Sequence, residues 1–370
     1  MSTETPQPSV LLAAMADGIG DLAFASPQWV DAAREALTSA VGRYAAGLAS
    51  LGAFTLCEVA HNSPAYLHCG SKLAWHAVFD GALVEVHSGE LPASACDLKV
   101  EGDHSIMSNL ARIQYAGRDP KLVAAAQARL HKLSRWVVHG SIPTNPVLAA
   151  VLRSLHDALA VRTLPRFVFM TPEWVSCARH ILTTRAALTK YADGLSDVEY
   201  TFAEQFTHAP HYAFPDGSDG GFWVRCSYGQ ITVGAGPLPK ELEPADMLTK
   251  GAYTPVVPVG RTVNAAMTEA EKAEHAQYSK AAFRFDKIAK QAAVVQSSPS
   301  GRREMPPALA RVFVPLHDEL SKRTSGELPA DFDPALKREW AVAQKFDRDP
   351  GYDPTWVRYH QVDIFGRPRG

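Results

Sequence analysis

The chain has 370 residues, and 37 Lys plus Arg stand against 39 Asp plus Glu, a net charge of −2. No basic excess exists to hold a phosphate backbone, so composition argues against nucleic-acid binding. Hydrophobic residues at 46% and charged residues at 21% make a globular rather than a disordered balance, and no apolar run approaches the roughly 18 residues of a membrane span.

The opening stretch, MSTETPQPSVLLAAMADG, has no basic residue ahead of its short apolar run and does not read as a secretory signal. The five cysteines are scattered and lack a CxxC, which predicts reduced thiols in a cytoplasmic protein. Ser26 followed by Pro27 reads as a helix start. Trp29, Ala33, Leu37 and Val41 then recur at helical spacing. The segment AFTLCEVAH alternates in period two, as a half-buried strand does. KLAWHAVFDGALVEVHSG places a turn at Asp80–Gly81 between two apolar alternations, the pattern of a hairpin. CDLKVEGDHS is a further short strand, and a helix follows from about Ser105. Leu148, Leu152, Leu155 and Leu159 mark a closing amphipathic helix. Helix, antiparallel strands, then helices is the order of an α+β domain with one sheet face covered by helices.

The order then repeats. SPQWVDAAREALT from Ser26 recurs as TPEWVSCARHILT from Thr171, with Pro27/Pro172, Trp29/Trp174, Arg34/Arg179 and Leu37/Leu182 each 145 residues apart. The match continues through Tyr44/Tyr191, Thr55/Thr201, Glu58/Glu204, Pro64/Pro210, Tyr66/Tyr212, Trp75/Trp223 and Gly81/Gly229. PVLAAVLRSLHDALAVRT from Pro146 matches PALARVFVPLHDELSKRT from Pro307 at the wider spacing of 161. The difference predicts an insertion in the second copy between Pro239 and Pro306, where TEAEKAEHAQYSKAAFRFDKIAKQAA reads as an extra or longer helix. Units of this size are domains rather than the short repeats of a solenoid. The expected division is 1–25 as an N-terminal segment, 26–164 and 165–327 as the two repeats, and 328–370 as a C-terminal strap closing over both.

An opening helix, the hairpin WHAVFDGALVEV, the strand DLKVEGDH and a following helix resemble sterol carrier protein 2-like domains. The resemblance covers about 90 residues of the first copy, from Trp29 to about Leu110. In the second copy ADMLTKGAYTPVVPVG departs from the pattern. The resemblance implies a five-stranded sheet and helices around an apolar tunnel for lipids, sterols or fatty acyl groups.

Several residues carry candidate chemistry. Glu58 shares a strand face with Phe54 and Leu56, and Glu204 with Tyr200 and Phe202, so in both copies an acid points to the apolar side. Burial would raise its pKa and suit a general acid or base; the plainer alternative is an acid at a sheet end, or one paired with Arg34 or Arg179. His156–Asp157 and His317–Asp318 repeat on the closing helices. Neighbours on a helix point about 100° apart, so the two are not expected to pair with each other; Asp157 is expected opposite Arg153 and Asp318 opposite Lys322. His208 and His211 could begin a metal site, yet no third ligand follows at zinc-like spacing, and neither metal nor cofactor is expected. Trp75 and Trp223 read as core anchors or cavity walls.

Two function classes follow. The first is a binding module for a hydrophobic small molecule (lipid, steroid or aromatic metabolite) in one or both cavities, lined by Trp75, Trp223, Tyr200, Phe202, Phe54, Tyr212, His208 and His211. The second is an enzyme performing hydrolysis or elimination on an apolar or aromatic substrate. There Glu204 or Glu58 would act as base, with His317 or His156 as partner. A purely structural module is the third possibility. The expected partner is thus a small molecule, with no nucleic acid, no integral membrane segment and room for a homodimer.

Overall fold

The computed structural model describes residues 9–49, 51–133, 136–141, 144–184, 194–207, 209, 213–214, 218–253, 256–285, 294–302 and 304–325. The chain divides into two compact units, the first ending at Arg166 and the second beginning at Phe167. Each is mixed α+β with its own mixed sheet. Among the described residues no helix is long and apolar enough to cross a membrane. The segment expected as a C-terminal strap lies outside the described residues.

In the first unit a short helix, α1 (Val10–Ala14), precedes the long helix α2 (Pro27–Leu48). The Ser26 hydroxyl accepts the Trp29 backbone N–H at 3.3 Å, and Pro27 sits in the first turn, where no donor is needed. Five strands follow: β1 (Phe54–His61), β2 (Lys72–Asp80), β3 (Leu83–Ser88), β4 (Leu98–Asp103) and β5 (Val137–Gly140), in the order β3-β2-β1-β4-β5. Helices α3 (His104–Leu110) and α4 (Pro120–Lys132) come between β4 and β5 in sequence, and α5 (Pro146–Ala160) closes the unit.

The sheet is not wholly antiparallel, as the sequence pattern suggested. β1 and β4 run parallel at its centre. After the β2–β3 hairpin the chain re-enters the sheet on the far side of β1 and in the same direction. Asp97 holds this re-entry: its carboxylate accepts the Thr55 N–H at 2.7 Å, and its own N–H donates to the Thr55 carbonyl. One sheet face, carrying Leu56, Ala60, Trp75, Ala77, Phe79 and Leu98, packs on the buried stripes of α2 and α5. The leucines and Phe79 each contribute about 1.5–3 kcal/mol by leaving water.

The second unit starts with β6 (Phe167–Val168) and α6 (Pro172–Thr184), then β7 (Glu199–Thr207), β8 (Gly220–Ser227), β9 (Gln230–Ala235) and β10 (Met247–Ala252). Next come α7 (Val257–Gly260), α8 (Glu269–Ala282), β11 (Phe283–Phe285), β12 (Val294–Ser297), α9 (Pro307–Lys322) and β13 (Thr324–Ser325). From the hairpin edge the order is β9-β8-β7-β10-β12-β11, with β7 and β10 parallel. Within the predicted insertion the described residues form α8, with 14 residues against 13 in α4, and a strand, β11, parallel to β12; residues 286–293 lie outside the described residues.

Residues that recur in the sequence make the same bonds in each unit. Trp29 Nε1 donates to Thr163 Oγ1 at 2.9 Å, and Trp174 Nε1 to Thr324 Oγ1 at 2.8 Å. Each threonine hydroxyl donates in turn to a helix carbonyl, Leu159 or Leu320. Arg34 and Arg179 donate to the Val86 and Val233 carbonyls, not to the glutamates considered for them. Asp246 accepts the Thr201 N–H at 2.8 Å, as Asp97 does for Thr55. Even a sparsely populated backbone state recurs just ahead of α2 and α6, at Ala25 (φ 56°) and Met170 (φ 60°).

Candidate functional site

Glu58 stands at the middle of β1, directly across from Trp75 on β2 and beside Val100 on β4. Its neighbours two residues away on the strand, Leu56 and Ala60, belong to the core that packs on α2 and α5, so the carboxyl faces the helix side. The Trp75 indole N–H donates to Glu58 Oε2 at 2.9 Å. Burial pushes the Glu58 carboxyl up to about 7, and the Trp75 hydrogen bond only partly offsets this. The residue still keeps some accessible surface.

Glu204 holds the corresponding place on β7, across from Phe222 and beside Thr249. Phe202, on the same face, meets Phe222 and Phe313 edge-on at ring separations of 5.5 and 6.1 Å. Burial pushes the Glu204 carboxyl up to about 8, with no charged neighbour to counter it. No hydrogen bond within the described residues reaches it. Like Glu58, it keeps partial accessibility.

The repeated histidines do not join the acids. His156 packs edge-on against Tyr115 at 5.4 Å, and its Nδ1 is buried without a hydrogen-bond partner. Burial holds its imidazole below the ordinary value. His317 is more open and lies 3.2 Å from Asn264 Nδ2 and 3.4 Å from Ser321 Oγ. Among the described residues no hydrogen bond or ion pair links His156 to Glu58 or His317 to Glu204.

The aspartates serve a backbone role in place of the expected pairing with Arg153 or Lys322. Asp157 accepts the N–H groups of Tyr115 and Ala116 at 2.6 and 3.0 Å. Asp318 accepts those of Asn264 and Ala265, both at 2.8 Å. Burial opposes ionisation of Asp318, but bonds from His317, Ala265 and Asn264 outweigh it and hold the carboxyl down at about 2. His317 Nδ1 and Asp318 Oδ1 come within 3.6 Å despite the 100° between neighbouring helix positions, since both side chains converge on Asn264.

The expected equivalence of Trp75 and Trp223 fails by one residue. Glu58 pairs with Trp75, whereas Glu204 pairs with Phe222 and Trp223 pairs with Ala203. A shift of one in a strand moves a side chain to the opposite face. Trp223 therefore turns away from Glu204 and packs with Ala203, Leu238 and Leu248, close over Gly234. Phe222 takes the place of Trp75: it meets Trp174 at 5.2 Å, as Trp75 meets Trp29 at 5.4 Å.

Of the other expected lining residues, Phe54 is partly buried against Phe79 at the start of β1. Tyr200 is buried, its hydroxyl lacks a partner, and burial pushes it up to about 12. Tyr212, His208 and His211 lie outside the described residues. Among the described residues no group of three His, Cys, Asp or Glu side chains could hold a metal ion.

Two further residues were not anticipated. Tyr115 lies in the loop after α3. Its hydroxyl accepts a hydrogen bond from Gln127 Nε2 on α4 at 2.8 Å. Burial raises its pKa above the usual value, and Arg153 and the Gln127 hydrogen bond oppose that rise. Comparison with known proteins adds no name to this site: no family model, no curated protein and no solved structure matches the chain.

Proposed function

We propose that each unit binds an apolar small molecule, a lipid, steroid or aromatic metabolite, between its sheet and the helices on the Glu58 or Glu204 face. The two units are read as an internal duplication of one sterol-carrier-like domain. The shared strand order and the recurring Trp–Thr, Arg–carbonyl and Asp–amide bonds support that reading.

The observation that carries the function is the pair of enclosed glutamic acids. An acid in the middle of a central strand costs free energy unless something uses it. Among the described residues neither acid has a cationic partner, and burial holds both near or above neutral pH. A carboxyl in that state is an uncharged hydrogen-bonding group in apolar surroundings, suited to anchor the polar end of an otherwise apolar ligand. Among the described residues no hydrogen bond joins His156 to Glu58 or His317 to Glu204, so the geometry favours binding over the acid–base pairing of those residues.

Native mass spectrometry of freshly purified protein, with titration of a fluorescent fatty acid, tests the proposal. The expected result is saturable uptake with up to one molecule per unit. A protein that carries nothing and shows no saturable uptake would overturn it.

A further inference from the structure

The neighbours of Glu58 on the helix-facing side of the sheet differ in exposure. Leu56 and Ala60, before and after it on β1, are 5% and 0% exposed, and Trp75 across from it on β2 is 1% exposed. The fourth neighbour, Val100 on β4, is half-buried. Val100 pairs in turn with Val138 on β5, the edge strand of the sheet. Paired residues share a face, so Trp75, Glu58, Val100 and Val138 form one row across four strands. Exposure rises along that row from the buried Trp75 to Val138 at 54%. With about 4.8 Å between strands, Val138 stands about 10 Å from Glu58. The core under α2 and α5 takes in Leu56, Ala60 and Trp75 but not Val138. Trp136, just ahead of β5, walls one side of the row. Its ring lies over Gly102, where a side-chain carbon would meet it at 3.1 Å, and its indole N–H is buried with no partner among the described residues. On the other side Gly140 ends β5 without a side chain. The second unit closes this direction. Thr249, beside Glu204 on β10, is 2% exposed, and past it stand Gln296 on β12 and Phe285 on β11, the strand that takes the edge.

We infer that an apolar ligand reaches the first unit through its β5 edge, entering over Val138, passing Val100 and ending with its polar group at Glu58. A lone exposed valine needs no explanation. This one continues into a half-buried valine and then into an acid that keeps accessible surface, and the row meets Glu58 on the one side that its nearest neighbours leave open. Apolar side chains along the way let the ligand shed water step by step as it enters. The inference rests on the proposed binding function and adds, for one unit, the route and the residue that controls it.

Stopped-flow uptake and release of cis-parinaric acid, an intrinsically fluorescent fatty acid, tests it on the full chain. Wild type is compared with Val138→Trp, Val138→Ala and Leu83→Trp. Leu83 is exposed at the tip of the β2–β3 hairpin on the opposite face of the same sheet, and so controls for an added indole. Val138→Trp sets a bulky ring at the mouth. The first unit's share of the signal is expected to slow about tenfold in uptake and in release alike, because both cross the same barrier. Affinity should change by less than either rate. The second unit's share should keep its wild-type rates, as should both shares in Leu83→Trp. Val138→Ala widens the mouth and should speed the same share that Val138→Trp slows, which keeps the test readable if the tryptophan variant fails to fold. If the Val138 variants keep wild-type rates, if only affinity changes, or if Leu83→Trp slows uptake as much, the route is overturned while apolar binding stands. If wild type shows no saturable uptake, the binding proposal falls and the route with it.

Discussion

The two units place a glutamic acid at the same point of the same strand and surround it differently. Glu58 has an indole N–H on one oxygen. Glu204 has aromatic rings near it and no hydrogen bond within the described residues. Burial raises both acids, and only Glu58 has a hydrogen bond that opposes the rise. A donor to a carboxylate favours the charged form, and burial alone disfavours it. The residues common to both units build the frame, and the residues that differ lie beside the acid.

The sharpest way to separate the units is by pH. Both acids have folded pKa values raised above the unfolded one. The folded state therefore holds its protons longer, and the cost of charging appears as pH climbs from the unfolded value through the folded one. Below the unfolded value the cost vanishes, and above about 8 it is complete for both. Glu204→Gln should therefore leave stability near pH 4 almost unchanged and raise it at pH 9. A gain on the order of 2 kcal/mol is expected once partial solvent contact is discounted, measured by denaturant unfolding. Glu58→Gln should gain less, since it gives up the charge-assisted Trp75 bond. A pH-independent gain in either variant would separate stability from these acids.

The clamps should make the units look alike. Asp157→Ala and Asp318→Ala each release two backbone N–H groups, and each is expected to cost about 1–2 kcal/mol, as loss of a helix cap does. A large inequality between them would show that the equivalence of the two loops is only geometric. Trp75→Phe tests the comparison directly by giving the first unit the second unit's aromatic. It should cost about 1 kcal/mol and move the Glu58 titration, followed by carboxyl NMR, upward from about 7 toward that of Glu204. No upward movement would remove the Trp75 bond as the cause of the difference. Thr163→Val and Thr324→Val are each expected to cost about 1–3 kcal/mol, since a buried indole N–H loses its partner. They break the matching Trp29 and Trp174 bonds, and equal losses by thermal unfolding would show that both bonds do the same work.

The strands and helices that follow period-two and period-3.6 patterning could be read directly. So could the face taken by Glu58 and Glu204, because alternation on a strand is a local property. What failed, failed for want of long-range information. Trp75 and Trp223 align well as letters, but strand pairing places Phe222 opposite Glu204, and a single-residue offset is invisible without the partner strand. The parallel pairing of β1 with β4 depends on how the chain re-enters the sheet, which Asp97 settles through Thr55. Tyr115 and Gln127 carried no signal, since they do not recur in the second unit and stand twelve residues apart on a loop and a helix. Arg112 was missed as well. It is buried and donates to the main-chain carbonyls of Ala16, Gly18 and Thr163. Arg261, at the corresponding place before Asn264, was a signal that the repeat already contained.

The amino-acid sequence by itself determined that 370 residues carry one pattern twice, with an acid on the apolar face of a strand each time. These follow from periodicity and recurrence, which are properties of the linear chain. Only the tertiary structure decided which aromatic stands across from each acid and whether an imidazole reaches it. Those are settled by register, crossover direction and the buried bonds that fix loops to helices, and each joins residues that the sequence keeps apart.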